Sequence, residues 1–141
     1  MALLEAMLDP FAPTHEEPLT SGQFDLSREL EELRNGPQYR TTGHAARTLI
    51  KRGDLRVVLV ALRQDAAMGE HSTTQAVSVQ PVVGRISVKL PERSTNLTVG
   101  ELLVIESGAT HDVTALVDTG FLLSIPWMEQ HPSSREDRPH N

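Results

Sequence analysis

The sequence contains no cysteine, which excludes disulfide bonds, thiolate metal sites and a cysteine nucleophile. Aromatic residues are scarce, at 4% of the chain, so a hydrophobic core has to be built from valine, leucine and isoleucine. A chain of 141 residues is long enough to bury such a core within one domain. The lack of cysteine also fits a reducing compartment, and we expect a cytoplasmic protein.

Long apolar runs and clusters of basic residues are absent as well. No segment approaches the roughly 20 apolar residues that cross a bilayer. The first residues, MALLEAMLDPFAP, carry Glu5 and Asp9 and no basic residue, so they do not read as a signal peptide. The formal net charge is −6, from 19 acidic and 13 basic side chains. This balance predicts neither a nucleic-acid partner nor a membrane partner.

The N-terminal part of the chain divides into a tail and a short helix. Residues 1–23 contain three prolines among polar residues and predict a disordered or loosely ordered tail. Residues 24–43 predict a short helix and a connector. Leucines at 26, 30 and 33 form one apolar stripe, and we expect this stripe to pack on the core. Asp25 can cap the helix, and Asn35-Gly36-Pro37 can end it.

From about residue 47 the pattern becomes one of short strands separated by glycine and proline turns. The segment from Val57 to Leu62 is apolar at every position, which predicts a strand buried on both faces. Regularly spaced strands of this length indicate an all-β barrel or sandwich. We place this domain at residues 44–127 and expect a flexible polar tail at 128–141. The predicted strands are 48–51, 56–63, 76–83, 85–90, 96–99, 102–105, 112–117 and 120–125.

One stretch of the strand region has a recognisable spacing. Gly100 is followed by five residues, then by the turn Glu106-Ser107-Gly108, and His111 comes three residues later. This arrangement resembles the second sequence motif of the cupin superfamily, although a proline usually stands in place of Glu106. The resemblance extends over about residues 44 to 127. It implies a small single-domain bacterial cupin: an all-β, jelly-roll β-barrel, here with one short N-terminal helix.

The first cupin motif has two histidines separated by one residue, then a glutamate and a glycine. Counting back from Gly84 puts Val77 in the glutamate position, Thr73 in the second histidine position and His71 in the first. A count with one more residue puts Glu70 and Ser72 in the two histidine positions and turns His71 outward.

The resemblance implies a site inside the barrel, where cupin metal sites use three histidines and one glutamate. Only His71 and His111 match that set, because neither a hydroxyl nor a valine replaces the missing imidazole and carboxylate. If strand alternation runs from 71 to 79, Gln75 faces the same side. The predicted ligand pocket is therefore His71, Thr73, Gln75, Val77 and His111. Its metal ligands, if a divalent Fe, Mn, Zn or Ni ion binds, are His71 and His111.

The function favoured by this incomplete set is the binding of a small molecule in the barrel, without a cofactor. We expect a homodimer, both from the resemblance and because the second apolar face of residues 56–63 needs a cover. The alternative is a metal-dependent cupin enzyme of the dioxygenase or isomerase type that uses His71 and His111. A sensory module that acts with a separate DNA-binding protein is a third reading.

Overall fold

The computed structural model describes residues 21–126. The predicted C-terminal tail lies outside the described residues, and so does the predicted N-terminal tail except for residues 21–23. No helix within residues 21–126 has the length and apolarity needed to span a membrane. The helices are α1 (Leu26–Asn35) and α2 (Pro37–Thr42). The strands are β1 (His44–Arg52), β2 (Leu55–Leu62), β3 (Val77–Val83), β4 (Arg85–Lys89), β5 (Ser94–Thr98), β6 (Leu103–Ile105), β7 (Asp112–Ala115) and β8 (Thr119–Pro126).

Helix α1 begins and ends where the sequence indicates. The Arg28 N–H donates to the Asp25 carboxylate at 3.3 Å, which caps the first turn. The helix ends at Gly36, and Pro37 then starts the separate helix α2, which the sequence analysis did not predict. Proline suits a first helical position because that position has no intrahelical partner for an N–H.

The strands form two antiparallel sheets that pack face to face. One sheet has the order β1-β2-β8-β3-β6, and the other has the order β5-β4-β7. Their inner faces share one apolar core, to which the first sheet contributes Val60 and Phe121 and the second contributes Ile86, Val88 and Val113. Phe121 is the one phenylalanine that the described residues contribute to this core, whose volume comes mainly from aliphatic side chains. The predicted all-β jelly-roll architecture is confirmed.

An irregular segment, residues 65–71, extends the second sheet beside β7. The Asp65 N–H donates to the Ala115 carbonyl at 2.8 Å, and the Met68 N–H donates to the Val113 carbonyl at 2.9 Å. Isolated bridges join Ala67 to Thr114 and His71 to His111. This segment carries the chain from the first sheet across to the second, and it delivers one of the two candidate histidines.

Strand β2 is buried on both faces from Val58 to Leu62, within the apolar segment that predicts this burial. Val58, Val60 and Leu62 point into the barrel core. Leu59 and Ala61 point the other way, into a second cluster. Helices α1 and α2 cover that cluster with Leu30, Leu33 and Tyr39.

The leucine stripe of α1 thus packs on the sheet as predicted. The face of β2 that we expected a second copy to cover is covered by the chain itself. That argument for a homodimer is wrong, and the expected dimer now rests on the resemblance alone.

An ion-pair cluster fixes α1 to the edge strand β1. Nη1 of Arg47 lies 2.9 Å from a carboxylate oxygen of Glu29 and 2.9 Å from one of Glu32. The Arg47 side chain is only 14% exposed, whereas Glu32 is 55% exposed. The pair with Glu29 is therefore the better shielded of the two contacts.

The close approach of α1 to β8 gives a first prediction. A Cβ added to Gly120 would lie 2.6 Å from Cδ2 of Leu30, which is closer than two carbons can pack. Gly120→Ala should therefore lower the free energy of unfolding by about 1–3 kcal/mol, the usual cost of overpacking, as measured by chemical denaturation. Gly36→Ala is the matched control. Gly36 has a φ of −80° and an added Cβ there meets only ordinary contacts. An equal effect at both glycines would contradict the prediction.

Candidate imidazole pair site

His71 and His111 face each other across an isolated antiparallel bridge between two segments. The backbone N–H of His71 donates to the His111 carbonyl at 2.9 Å, and the backbone N–H of His111 donates to the His71 carbonyl at 2.8 Å. Residues paired in this way in an antiparallel ladder have neighbouring side chains on one face. His71 is 9% exposed and His111 is 4% exposed. The structure therefore brings together the two histidines that the sequence singles out, and it buries both.

The two imidazole rings are in direct contact. Their centroids lie 4.3 Å apart, and the ring planes meet at 64°, which is an edge-to-face arrangement. Nδ1 of His71 lies 2.8 Å from the Gly69 carbonyl oxygen, and Nδ1 of His111 lies 3.1 Å from the Ala109 carbonyl oxygen. Because a carbonyl oxygen only accepts, these distances assign the proton of each neutral ring to Nδ1. Each Nε2 then presents a lone pair.

The ring of His71 is held in place by a short relay from β7. The Gly69 N–H donates to the Asp112 carboxylate at 2.9 Å, while the Gly69 carbonyl accepts from the His71 ring. Gly69 has a φ of +94°, a left-handed conformation that costs glycine little. Sequence reasoning missed Asp112 and Gly69, because they are 43 residues apart and belong to neither motif.

The turn before His111 is held by the segment that follows His71. The Gly108 N–H donates to the Thr73 carbonyl at 2.7 Å, and the Ala109 N–H donates to the Glu106 carbonyl at 3.2 Å. The Thr73 hydroxyl donates to the Gln75 carbonyl at 2.5 Å. Thr73 therefore uses both its carbonyl and its hydroxyl to shape the backbone around the pair.

The predicted alternation from residue 71 to residue 79 does not describe this segment. His71 pairs with the second sheet, β3 of the first sheet begins only at Val77, and the residues between form no strand. Val77 is 4% exposed and belongs to the barrel core, whereas Thr73 and Gln75 are half-buried. A period of two cannot be carried across a break between sheets, so it does not fix the direction of the Gln75 side chain.

The alternative count for the first motif required Glu70 to point inward and His71 to point outward. The structure has the opposite arrangement: Glu70 is exposed and His71 is buried. Of the two counts, the first is the one that agrees with the burial of His71. Gly84, from which that count starts, has a φ of +90°, and an added Cβ would lie 2.5 Å from the Asp118 carbonyl oxygen.

The surroundings of the pair contain no buried carboxylate or cationic side chain. Among the described residues, the buried polar side chains are His71, His111 and Thr119. The Thr119 hydroxyl is fully engaged, since it accepts from the Arg85 N–H and lies within hydrogen-bond distance of the Arg85 and Val117 carbonyls. Burial lowers the pKa of His111 below its ordinary value of 6.5, and the nearby His71 acts in the same direction.

The residues present do not fit a complete metal site. Within residues 21–126, no three His, Cys, Asp or Glu side chains are grouped so that they could hold a metal ion. Of the four positions that the cupin resemblance implies, two carry imidazoles. The Thr73 hydroxyl is engaged with the backbone, and Val77 has no donor atom. A metal at this place would have two protein ligands, fewer than the three or four that protein sites for these metals use.

The relay to His71 gives a second prediction. Asp112→Ala removes the acceptor for the Gly69 N–H and should loosen the carbonyl that holds the His71 ring. We expect faster solvent exchange of the His71 Nδ1–H in NMR spectra and a loss of about 1–3 kcal/mol in stability. Asp112→Asn keeps an oxygen acceptor and should restore slow exchange. Slow exchange in Asp112→Ala would show that the relay does not hold the ring.

The lowered pKa of His111 gives a third prediction. The unfolded chain takes up a proton at this residue near the ordinary value of 6.5, whereas the folded protein does so only at lower pH. The free energy of unfolding should therefore fall as the pH drops below that value, and it should level off below the folded pKa. In His111→Gln this part of the pH dependence disappears. Chemical denaturation of both proteins between pH 5 and pH 8 measures it, and identical slopes would contradict the prediction.

Comparison with known proteins identifies the fold to which this geometry belongs. No protein-family model matches the sequence, and no curated protein matches it. A conserved protein of unknown function from Streptococcus pyogenes is similar in structure, with a TM-score of 0.63 and 20% identity over 86% of this chain and 99% of that one. A cupin superfamily protein from Desulfitobacterium hafniense has a TM-score of 0.61 and 12% identity, over 83% of this chain and 95% of that one.

A third similar structure belongs to a metalloenzyme. Oxalate decarboxylase from Bacillus subtilis, a protein with Mn(II) centres, matches with a TM-score of 0.51 and 21% identity. The match covers 57% of this chain and 23% of that one, so it concerns a part of the enzyme only. At sequence identities this low, the structural similarities are evidence about the fold alone. Together with the two antiparallel sheets and the buried pair, they establish that this chain has the cupin fold.

Proposed function

We propose that the protein binds a small organic molecule at the paired imidazoles of His71 and His111, without a resident metal. The observation that carries this proposal is the orientation of the two rings. Each Nδ1 lies against a backbone carbonyl two residues earlier in the chain, and no hydrogen bond from the described residues reaches either Nε2. The two neighbouring rings therefore each keep one acceptor for a ligand, and a ligand that donates to it gains a hydrogen bond.

The other residues of the predicted pocket offer few free polar groups to a ligand. Val77 belongs to the apolar core, and the Thr73 hydroxyl already donates to the Gln75 carbonyl. Gln75 is half-buried and is the remaining polar side chain of the predicted set. Recognition by a few polar groups within an apolar enclosure is the usual design of small-molecule sites. We keep a cytoplasmic homodimer as the expected context of this binding.

A metal-dependent enzyme is the second candidate. The two adjacent imidazole rings favour it, since neutral imidazole is a good ligand for Fe, Mn, Zn and Ni. Similarity in fold to an enzyme with Mn(II) centres also favours it. The set of two imidazoles, without a third histidine or a carboxylate, argues against it. A dioxygenase or isomerase activity would need ligands that the described residues do not supply.

The two candidates differ in what occupies Nε2, and this can be measured. The metal content of the purified protein is determined first, and again after incubation with Fe, Mn, Zn and Ni. A panel of small organic molecules is then screened against the metal-stripped protein by long-range ¹H–¹⁵N NMR of the histidine rings. We expect less than stoichiometric metal, and at least one compound that shifts both Nε2 resonances.

Substitutions of single histidines show which rings are responsible for the NMR shifts. His71→Phe and His111→Phe keep a buried ring and remove one acceptor, so each should abolish the shift of the remaining histidine. His44→Gln, at a histidine on β1 outside the pair, is the matched control and should leave it intact. One metal ion per chain, lost in both phenylalanine variants, would replace the proposal with the metalloenzyme. If no compound of the panel shifts either Nε2 resonance, the proposal of small-molecule binding is refuted.

A further inference from the structure

The polarity of the imidazole pair restricts which molecules it can hold. Both Nδ1–H groups are used as donors to the backbone, so neutral rings offer a ligand two acceptors and no donor. A ligand group that only accepts, such as a carboxylate or an ether oxygen, would place its lone pairs against those of Nε2. A hydroxyl group can instead point its hydrogen at Nε2.

The charge balance around the pair restricts the ligand further. An anionic ligand needs a cation to compensate for its lost hydration, and a cationic ligand needs a carboxylate. Among the described residues, neither kind of side chain is buried, and the one other buried polar side chain, Thr119, has its hydroxyl fully engaged. Asp112, the carboxylate next in sequence to His111, is half-buried and accepts from the Gly69 N–H. The pair is therefore suited to an uncharged molecule.

The spacing of the rings indicates that one molecule meets both acceptors. The ring centroids are 4.3 Å apart, so one small ligand can contact both rings at once. Two hydrogen-bond donors on such a ligand can then be offered to the two Nε2 atoms together. A ligand with a single donor would leave one acceptor without a partner.

We infer that the ligand of this site is an uncharged, mostly apolar molecule with two neighbouring hydroxyl groups, a vicinal dihydroxy compound, which donates one hydrogen bond to Nε2 of His71 and one to Nε2 of His111. This inference rests on the proposed small-molecule function and narrows it to one chemical class. It gives the two histidines a role as acceptors in recognition, separate from any part in holding a metal.

A series of four aromatic compounds of similar size tests the inference. Catechol carries two hydroxyl groups, 2-methoxyphenol carries one, 1,2-dimethoxybenzene carries none, and benzoate carries a negative charge. Their affinities for the metal-stripped protein at neutral pH, under argon, are measured by calorimetry. We expect catechol to bind about tenfold or more tightly than 1,2-dimethoxybenzene, because each hydrogen bond is worth severalfold in affinity. We expect 2-methoxyphenol between them and benzoate the weakest.

The two phenylalanine variants supply an internal comparison. In His71→Phe and His111→Phe the preference for catechol over 1,2-dimethoxybenzene should shrink, while the affinity for 1,2-dimethoxybenzene should change little. If either variant fails to fold, the wild-type protein alone decides the matter. Catechol should then shift the Nε2 resonances of both histidines, and 1,2-dimethoxybenzene should shift neither.

The outcomes separate this inference from the function on which it rests. Benzoate binding more tightly than catechol, or equal affinity for catechol and 1,2-dimethoxybenzene, would overturn the inference. Either result would leave small-molecule binding at the pair in place. Failure of these four compounds together with the whole screening panel would overturn both.

Discussion

The burial of β2 on both faces is the constraint on which the rest of the fold depends. One face, with Val58 and Val60, closes the barrel core, and the other, with Leu59 and Ala61, needs a separate cover. The chain supplies that cover with α1 and α2, ahead of the first strand. The segment from Val57 to Leu62, apolar at every position, would otherwise expose a continuous hydrophobic surface, and burying it stabilises the fold at about 25 cal/mol for each Å². The helices thus cover the outer face of the sheet whose inner face closes the barrel core.

Much of this fold could be predicted from the sequence, because its signals are local. The cap at Asp25, the stop at Gly36 and the turn at Gly53 each act within a few residues. The missed elements lack such signals. Helix α2 has six residues, too few for an apolar period to appear. The first residues of β1, His44–Ala46, were not predicted as strand. They pair with the end of β2, and tertiary contacts override a weak propensity.

The candidate site likewise has features that the sequence predicts and features that it does not. The positions of His71 and His111 follow from two spacings along the chain, and the structure places both rings inside the barrel. The backbone around the rings is held by contacts between distant segments, such as Asp112 with Gly69 and Thr73 with Gly108. No spacing encodes those contacts. The expectation that Gln75 faces the same side as His71 assumed one continuous strand, but the chain changes sheets at this point.

The irregular segment beside β7 contains one residue more than the segment it pairs with, and this extra residue has a role of its own. From Ala67 to His71 the chain takes four steps, while from Thr114 to His111 the partner takes three. With that surplus residue, Met68 and His71 lie three positions apart and both face inward, which a regular strand forbids. Deleting one residue between them would leave the two side chains two positions apart, which a regular strand also places on one face, so the extra residue is not what turns the imidazole inward. The extra residue instead shapes the backbone: Gly69, within this bulge, has a φ of +94° and connects the Asp112 carboxylate to the carbonyl that holds the His71 ring.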